Sequence, residues 1–354
     1  MMAPIRLAFS DFPGPFNPTR ILSLLEAHFD IEQVEDNPDY VIFSVFGYRF
    51  LSFPNAIRIF FTGENVRPDF NLCDYGFGYD WMEFGDRYYR WPNYQLYKHF
   101  KELCGRRAGA VTHRQLASQK TKFCNFVYSN PDAIPYRDQL FHAIGRYRGV
   151  DSAGRHLNNL GYSPGQAYRG DWPGECVEFQ RQYKFSIVCE NSSTPGYTTE
   201  KIVHALAADT IPIYFGNPLI AREFNPRRLI NCHDFQSLDE VVARVAEVDR
   251  DEECYLRIVN EPFFASQEPP TSLSDAAIAA RFKHIFDQPK ASAFRRTMHD
   301  WGLTYETRRR REVAAAAALS EVCVKVWRAA KLPPEQIAQQ LEPLKHQLSK
   351  LVDE

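Results

Sequence analysis

The densest group of residues able to do chemistry lies between positions 183 and 218, in YKFSIVCENSSTPGYTTEKIVHALAADTIPIYFGNP. An apolar run ends there in four polar residues, Glu190, Asn191, Ser192 and Ser193. A Pro-Gly turn follows, and Thr198-Thr199 opens a helical pattern with Glu200 and Lys201 in its first turn. Free N–H groups and the dipole at a helix start favour an anion such as phosphate. A lysine in that turn opposes the dipole of an isolated helix, but finds a use if it faces a phosphate. The same residues also describe an ordinary capped helix with surface charges, and the pattern leaves both open.

Such a loop needs a strand to present it and a helix to receive it. Loops at the carboxyl ends of parallel strands are where open α/β sheets bind ligands. In the first third, IRLAFS (5–10) reads as a strand. Asn17-Pro18-Thr19 can start a helix through Phe29, with Ile21, Leu24, Leu25 and Phe29 at helical spacing. YVIFSVF (40–46) and IRIFFTG (57–63) read as buried parallel strands. Residues 66–100 are aromatic, rich in turn formers and without clear period, which predicts an ordered loop region. The less hydrophobic, basic stretch 105–122 predicts a linker.

A second alternation begins after it. KFCNFVYSN (122–130) reads as a strand, 137–147 as an amphipathic helix and VDSAGR (150–155) as a short strand and turn. VEFQRQYKF (177–185) reads as helix, SIVCEN (186–191) as strand, 198–210 as helix, and IPIYFG (211–216) and LINCHDF (229–235) as strands. SLDEVVARVAEVD (237–249) opens like a capped helix. The tail, RRRR at 308–311 followed by VAAAAALSEVCVKVWRAAK, reads as one helix, with a second helical stretch after Pro333-Pro334. Repeated β–α alternation predicts an α/β fold with parallel sheets in two halves, the common way to hold a nucleotide-type ligand in a crevice.

Composition removes other classes. At 354 residues the chain exceeds one ordinary core and suggests two domains. Lys+Arg 42 against Asp+Glu 44 leaves a charge of −2, without the basic excess of a nucleic-acid binder. A hydrophobic share of 44% with 24% charged residues excludes disorder and fibrous repeats. No apolar stretch approaches the roughly 18 to 20 residues that cross a bilayer. MMAPIRLAFSDFPGP is a poor signal peptide, so a cytoplasmic chain is expected. The arginine run and the apolar helix after it offer a route to peripheral contact with an anionic membrane face, against the plainer reading of a solvated helix.

The eight cysteines show no CxxC and read as reduced, structural thiols. His113, His142, His156, His204 and His233 are scattered, and no DxD pair occupies a convincing loop, so no metal site is expected. The aromatic share of 14% supplies both core and stacking surfaces.

CENSSTPGYTTEKI (189–202) and TIPIYFGNP (210–218) resemble the signature of the α1,3/4-fucosyltransferases, in which a strand ending in FEN-type residues leads to GYxTEKI, a helix and a TIPIYWG strand. The departures, Phe215 for Trp and Cys189 for an aromatic, concern packing. FFTGENVRPDFNLCDYGFGYD (60–80) is similar to the family's N-terminal block. FCNFVYSNPDAIPYR (123–137) is similar to its donor-domain entry strand, and VDSAGRHLNNLGY (150–162) to its Gly-Arg turn. The resemblance covers residues 57 to 235 and is nearest to the shorter bacterial members; no C-terminal heptad repeat is evident.

The resemblance implies a GT-B fold of two Rossmann-like domains facing across a cleft. It divides the chain into an acceptor-binding domain (1–115), a GDP-fucose-binding domain (116–290) and a C-terminal helical segment (291–354). It implies transfer of L-fucose from GDP-β-L-fucose to the 3-hydroxyl of N-acetylglucosamine (or glucose) in a β-galactoside-type glycan, with a Lewis-antigen-like product. Inversion at the anomeric carbon without an obligatory metal ion is implied as well. Inverting transfer needs a base for the attacking hydroxyl and stabilisation of the departing GDP.

Glu64 matches the family's base, with Asp80 and Glu83 as neighbouring carboxylates suited to shaping the acceptor site. Arg137 and Lys201 match pyrophosphate cations, and Arg155 is a weaker third, since a Gly-Arg turn can be structural. Tyr162 and Tyr197 match nucleotide contacts, and Asn191 would orient hydroxyls or phosphate. Glu200 would bind ribose or fucose hydroxyls and favour an oxocarbenium ion. The aromatics of GYDWMEFGDRYYRWP (78–92) could stack on an acceptor sugar or pack a core. The alternatives are a GT-B transferase using another nucleotide sugar and a non-catalytic glycan-binding relative.

Overall fold

A computed structural model describes residues 3–13, 18–107, 109, 111–162 and 171–329. Asn17 and the stretch after Pro333-Pro334 lie outside these residues. The first half forms a six-stranded parallel sheet in the order β2-β1-β3-β4-β5-β6. Its strands are β1 (Ile5–Ser10), β2 (Ile31–Gln33), β3 (Tyr40–Phe43), β4 (Ile57–Phe61), β5 (Tyr75–Gly78) and β6 (Tyr88–Arg90). Helix α1 (Thr19–Glu26) links β1 to β2 and buries Ile21, Leu24 and Leu25, the stripe expected from their spacing. All five residues of β4 are buried, as a strand covered on both faces requires.

After α2 (Lys98–Gly105) and α3 (His113–Gln119), the chain builds a second parallel sheet in the order β11-β10-β9-β7-β8. Its strands are β7 (Lys122–Phe126), β8 (Val150–Ser152), β9 (Tyr183–Cys189), β10 (Ile211–Phe215) and β11 (Ile230–Asn231). The helices on this sheet are α4 (Tyr136–Tyr147), α5 (Trp172–Gln180), α6 (Glu200–Ala207), α7 (Leu238–Arg250) and α8 (Glu252–Val259). Ser237 caps α7 by accepting from Glu240 N–H. Both sheets follow the doubly wound order 2-1-3-4-5, which reverses between β1 and β3 and again between β7 and β9. Two Rossmann-like lobes across a cleft are the GT-B architecture expected.

The lobes interlock. Phe100 and Leu103 of α2 pack with Val203 and Leu206 of α6, so the helix that follows the first sheet lies on the second lobe. Helix α9 (Asp275–Phe286) does the reverse: Ile278, Phe282 and Ile285 complete the core of the first sheet, with Phe282 stacked on Phe77 at 4.6 Å. Helices α10 (Lys290–Ala293) and α11 (Asp300–Ala329) follow it. Glu306 of α11 is buried against β4, where it takes hydrogen bonds from Arg58 at 2.9 and 3.1 Å and from Arg310 at 2.6 Å. Asp74 holds Arg296 and the backbone N–H groups of Arg58, Arg295 and Arg296.

Several expectations need correction. Residues 66–100 are not one loop: they contain β5, β6, a short turn at Asn93–Leu96 and the start of α2. Helix does not run through 177–185; α5 ends at Gln180, and Tyr183 to Phe185 pair with β7. LINCHDF gives a strand only at Ile230–Asn231, followed by a single turn at Cys232–Asp234. The expected linker holds α3. Among the described residues no helix is long and apolar enough to cross a membrane. Of the arginine run, Arg309 donates to the Tyr48 hydroxyl at 2.9 Å and Arg310 pairs with Glu306. The eight cysteines are free thiols, and Cys323 is exposed.

Candidate active site

The crevice opens where the second sheet reverses. β7 runs on into Val127–Asn130 and β9 into Glu190-Asn191, and between them lies a cavity of about 180 Å³. Tyr128, Asn130, Arg137, Asn191, Glu200 and Lys201 all line it. The Tyr128 hydroxyl accepts from Cys189 N–H at 2.6 Å, pinning the two strand ends together. The turn after β8 closes on the same place. A Cβ at Gly154 would lie 1.8 Å from the Tyr128 carbonyl oxygen, so no side chain fits there.

Arg137 stands in the first turn of α4 and is 1% exposed. Its Nη2 donates to the carbonyls of Asn130 and Pro131 at 3.0 Å each, and its guanidinium lies 4.8 Å from the Tyr128 ring centroid. Its Nη1 is buried without a hydrogen-bond partner among the described residues. An unsatisfied cationic donor in the wall of a cavity is costly unless something anionic arrives.

At α6, Glu190 is fully buried and accepts from Thr199 N–H at 2.8 Å and Thr199 Oγ1 at 2.6 Å. Thr199 is therefore turned away from its capping role: its side chain makes no cap hydrogen bond to the helix. Lys201 Nζ lies 3.4 Å from Glu190 and 3.7 Å from Glu200. Burial raises the Glu190 carboxyl above the ordinary range, although Lys201 and Thr199 counter it. Burial would raise Glu200 too, but Lys201 and His204 outweigh it and the net shift is downward. Burial would lower Lys201, yet the two carboxylates hold it well above its usual value. A charged lysine between two carboxylates results, on the helix end predicted to face phosphate.

The first lobe supplies the opposite wall. Glu64 is exposed in the loop after β4, and its backbone N–H is held by Thr62 Oγ1 at 3.1 Å. The next residue bridges the lobes: Asn65 Nδ2 donates to Ser192 Oγ at 2.5 Å and Thr194 Oγ1 at 2.7 Å. Tyr197 is buried edge-to-face on Tyr79 at 5.2 Å. Burial raises its hydroxyl pKa, as do the charges of Glu190, Glu64 and Glu200. Tyr197 thus joins the first lobe through Tyr79 just before the charged start of α6. Gly196 turns the loop with φ +82°, where a Cβ would meet the Tyr79 carbonyl oxygen at 2.7 Å.

The structure brings Glu64, Arg137, Asn191, Tyr197, Glu200 and Lys201 to this region. It places two other candidates at the margin. Arg155 is exposed in the turn after β8 and has no side-chain partner among the described residues. Tyr162 is 46% exposed and packs edge-on to Phe179 at 6.3 Å, outside the lining of the crevice. Asp80 pairs with Arg67, and Glu83 is exposed. Both line a separate cavity of about 250 Å³ with Trp81, whose ring lies 4.0 Å from the Arg90 guanidinium.

Sequence reasoning named Glu190 at the strand end without giving it a role and passed over Glu223. Glu223 is 8% exposed and accepts from Arg90 at 2.5 Å and Tyr94 at 2.9 Å on one side. On the other it accepts from Asn217 at 3.1 Å and Thr198 at 3.2 Å. The stretch IAREFNP carries no signal for this, because the partners lie on other elements. Among the described residues no group of three or more His, Cys, Asp or Glu is placed to hold a metal ion.

Comparison with known proteins agrees with this architecture. The profile described as Alpha-(1,3)-fucosyltransferase FucT N-terminal domain matches residues 7–97, and that of Glycosyltransferase family 10 (fucosyltransferase) C-term matches 117–260. The chain is 32% identical over 302 residues to the Helicobacter pylori protein named Alpha-(1,3)-fucosyltransferase FucT, covering 73% of this chain but 60% of that relative's length. It is 34% identical over 121 residues to Alpha-(1,3)-fucosyltransferase B of Drosophila melanogaster, covering 33% of this chain and 27% of that protein. A crystal structure of an α1,3-fucosyltransferase with GDP-fucose superposes with a TM-score of 0.65 at 28% identity, covering 81% of this chain and 93% of the other. With two family profiles matched in order, one on each lobe, the chain belongs to glycosyltransferase family 10, the fucosyltransferases.

Proposed function

We propose that the protein is an inverting fucosyltransferase, moving L-fucose from GDP-β-L-fucose to the 3-hydroxyl of N-acetylglucosamine or glucose in a β-galactoside-type glycan, giving a Lewis-type product. One observation carries it. The loop carrying Glu64 is joined to the loop entering α6 by the hydrogen bonds of Asn65 to Ser192 and Thr194, which sets a first-lobe carboxylate facing the Glu190–Lys201–Glu200 cluster. Segment 1–115 is assigned to the acceptor and 116–290 to the donor, save that α2 packs on the second lobe and α9 on the first; segment 291–354, with α10 and α11, follows them.

In a single in-line displacement the acceptor oxygen attacks the anomeric carbon as the bond to the diphosphate oxygen breaks. The electron pair leaves with GDP, and Glu64 takes the hydroxyl proton. Lys201 and the unpartnered Nη1 of Arg137 meet the diphosphate, where fixed cations in a dry site stabilise developing charge. Binding offers Lys201 a phosphate alongside its carboxylates and leaves Glu200 free to face the sugar, where its charge favours an oxocarbenium ion. Asn191 orients hydroxyls or phosphate. These cations belong to the chain, so no divalent metal is required for the step.

The test is transfer from GDP-fucose, GDP-mannose and UDP-sugars to a panel of Lewis-type precursors, read by mass spectrometry with and without EDTA. GDP-fucose alone should label the N-acetylglucosamine or glucose of the acceptor, at a rate EDTA leaves unchanged. Labelling from another donor, or no GDP release with any acceptor, overturns the reading.

A further inference from the structure

We propose that Arg20, from the first lobe, is a further cation for the donor, reaching across the cleft to the terminal phosphate of the nucleoside diphosphate as it departs. This rests on the reading above only in requiring such a leaving group. Arg20 lies in the first turn of α1, just beyond the carboxyl end of β1. That is the reversal point of the first sheet, the counterpart of the crevice in the second.

Its guanidinium sits 4.5 Å from the centroid of the Tyr97 ring. The same ring stands edge-on to His204 at 5.4 Å, and His204 is one turn beyond Glu200 on α6. Arg20, Tyr97 and the start of α6 therefore lie in one row across the lobe boundary. The charge of Glu200 raises the Tyr97 hydroxyl most, burial adds to this, and Arg20 and Lys201 oppose both. Charges from both lobes thus act on one hydroxyl.

The charge balance of the second lobe calls for such a residue. Lys201 already lies between the two carboxyls of Glu190 and Glu200, so its charge is shared before any phosphate arrives. Arg137 has spent one of its nitrogens on backbone carbonyls. Cleavage of the anomeric C–O bond puts a further electron pair on the terminal phosphate, so cations that meet it only then accelerate the step. Three arginines of the lobe boundary are committed, Arg67 to Asp80, Arg90 to Glu223 and Arg106 to Asp209, and Arg222 lies over Trp81 beside the separate cavity of about 250 Å³. Arg20 is exposed and forms no ion pair among the described residues. Its guanidinium meets the Tyr97 ring and hydroxyl but, among the described residues, no carboxylate, so the donors not turned to Tyr97 stay open to a phosphate.

The experiment titrates GDP and GMP into the wild type, Arg20→Ala and Arg20→Lys by calorimetry, alongside kcat with GDP-fucose and a thermal melt. Arg20→Ala should lose about ten- to hundred-fold in GDP affinity while GMP affinity stays within about two-fold. Its kcat should fall at least about ten-fold, with the melting temperature unchanged. Arg20→Lys should recover part of both losses. Equal losses for GDP and GMP, or GDP affinity and kcat within about two-fold of wild type, overturn the proposal. A wild type that binds no GDP, or transfers no fucose, defeats the fucosyltransferase reading instead.

Discussion

Lys201 shows what a single residue's neighbours do to its meaning. From sequence it is a cation at the wrong end of a helix; in the structure it is the counter-charge of Glu190, eleven positions earlier, and of its neighbour Glu200. Spacing along α6 reveals Glu200 but not Glu190, which reaches the helix only because β9 ends beside it. Arg137 was legible for the same reason that Glu223 was not: one belongs to a contiguous motif, the other gathers donors from β6, the loop before α6 and the turn after β10. Roles at this scale separate by kinetics. Glu64→Ala should abolish transfer and leave GDP affinity within about two-fold in calorimetry. Lys201→Ala should weaken GDP about ten- to hundred-fold, having removed a charge-assisted contact. Retention of near-wild-type turnover by Glu64→Ala would end its assignment as base, and unchanged GDP affinity would end that of Lys201.

Among the elements, long apolar runs were readable; of the short strands β8 was placed, whereas β5 and β6 were not. β4 announces itself as IRIFF, and β9 as FSIVC. β5 is YGFG and β6 is YYR, too short and too poor in branched residues for periodicity to speak, although their neighbours β4 and β5 fix them in parallel register. The α5–β9 boundary misled because Tyr183 to Phe185 fit an amphipathic helix as well as a strand. Pairing of Tyr183 with Lys122 and of Phe185 with Cys124 decides for the strand. The loop entering α6 depends on one backbone position. Gly196→Ala would force a side chain to φ +82° and against the Tyr79 carbonyl at 2.7 Å. It should cost at least about 1–2 kcal/mol in a denaturant melt. It should also lower kcat by displacing Tyr197. A variant equal to wild type in both measurements would show that the loop yields without consequence.

At the scale of the whole molecule, α11 is fastened by a buried carboxylate. Burial alone would raise the Glu306 pKa, but Arg58 and Arg310 outweigh it and hold it below the ordinary range. The folded chain therefore binds that proton more weakly than the unfolded one. Its stabilising contribution is complete above the unfolded carboxylate range and is lost as pH falls through the lowered folded value. Glu306→Ala leaves Arg58 buried without its partner and should cost about 3–5 kcal/mol at neutral pH. Thermal melts of both proteins should converge on acidification, and a difference that persisted or widened at low pH would contradict the sign. The overall architecture was readable from strand–helix alternation, whereas the exchange of α2 and α9 between lobes was not. Nothing in KHFKELCG or DAAIAARFKHIF says which sheet each will cover.

That exchange has a mechanical consequence. The backbone passes from one half to the other before α2 and returns before α9, so the halves are tied by two straps rather than one. Like a door hung on two pins, such a pair of straps leaves rotation about the line joining them and resists twisting or sliding apart. A swing of one half on the other then follows a single path, and each return brings the two walls back to the same register.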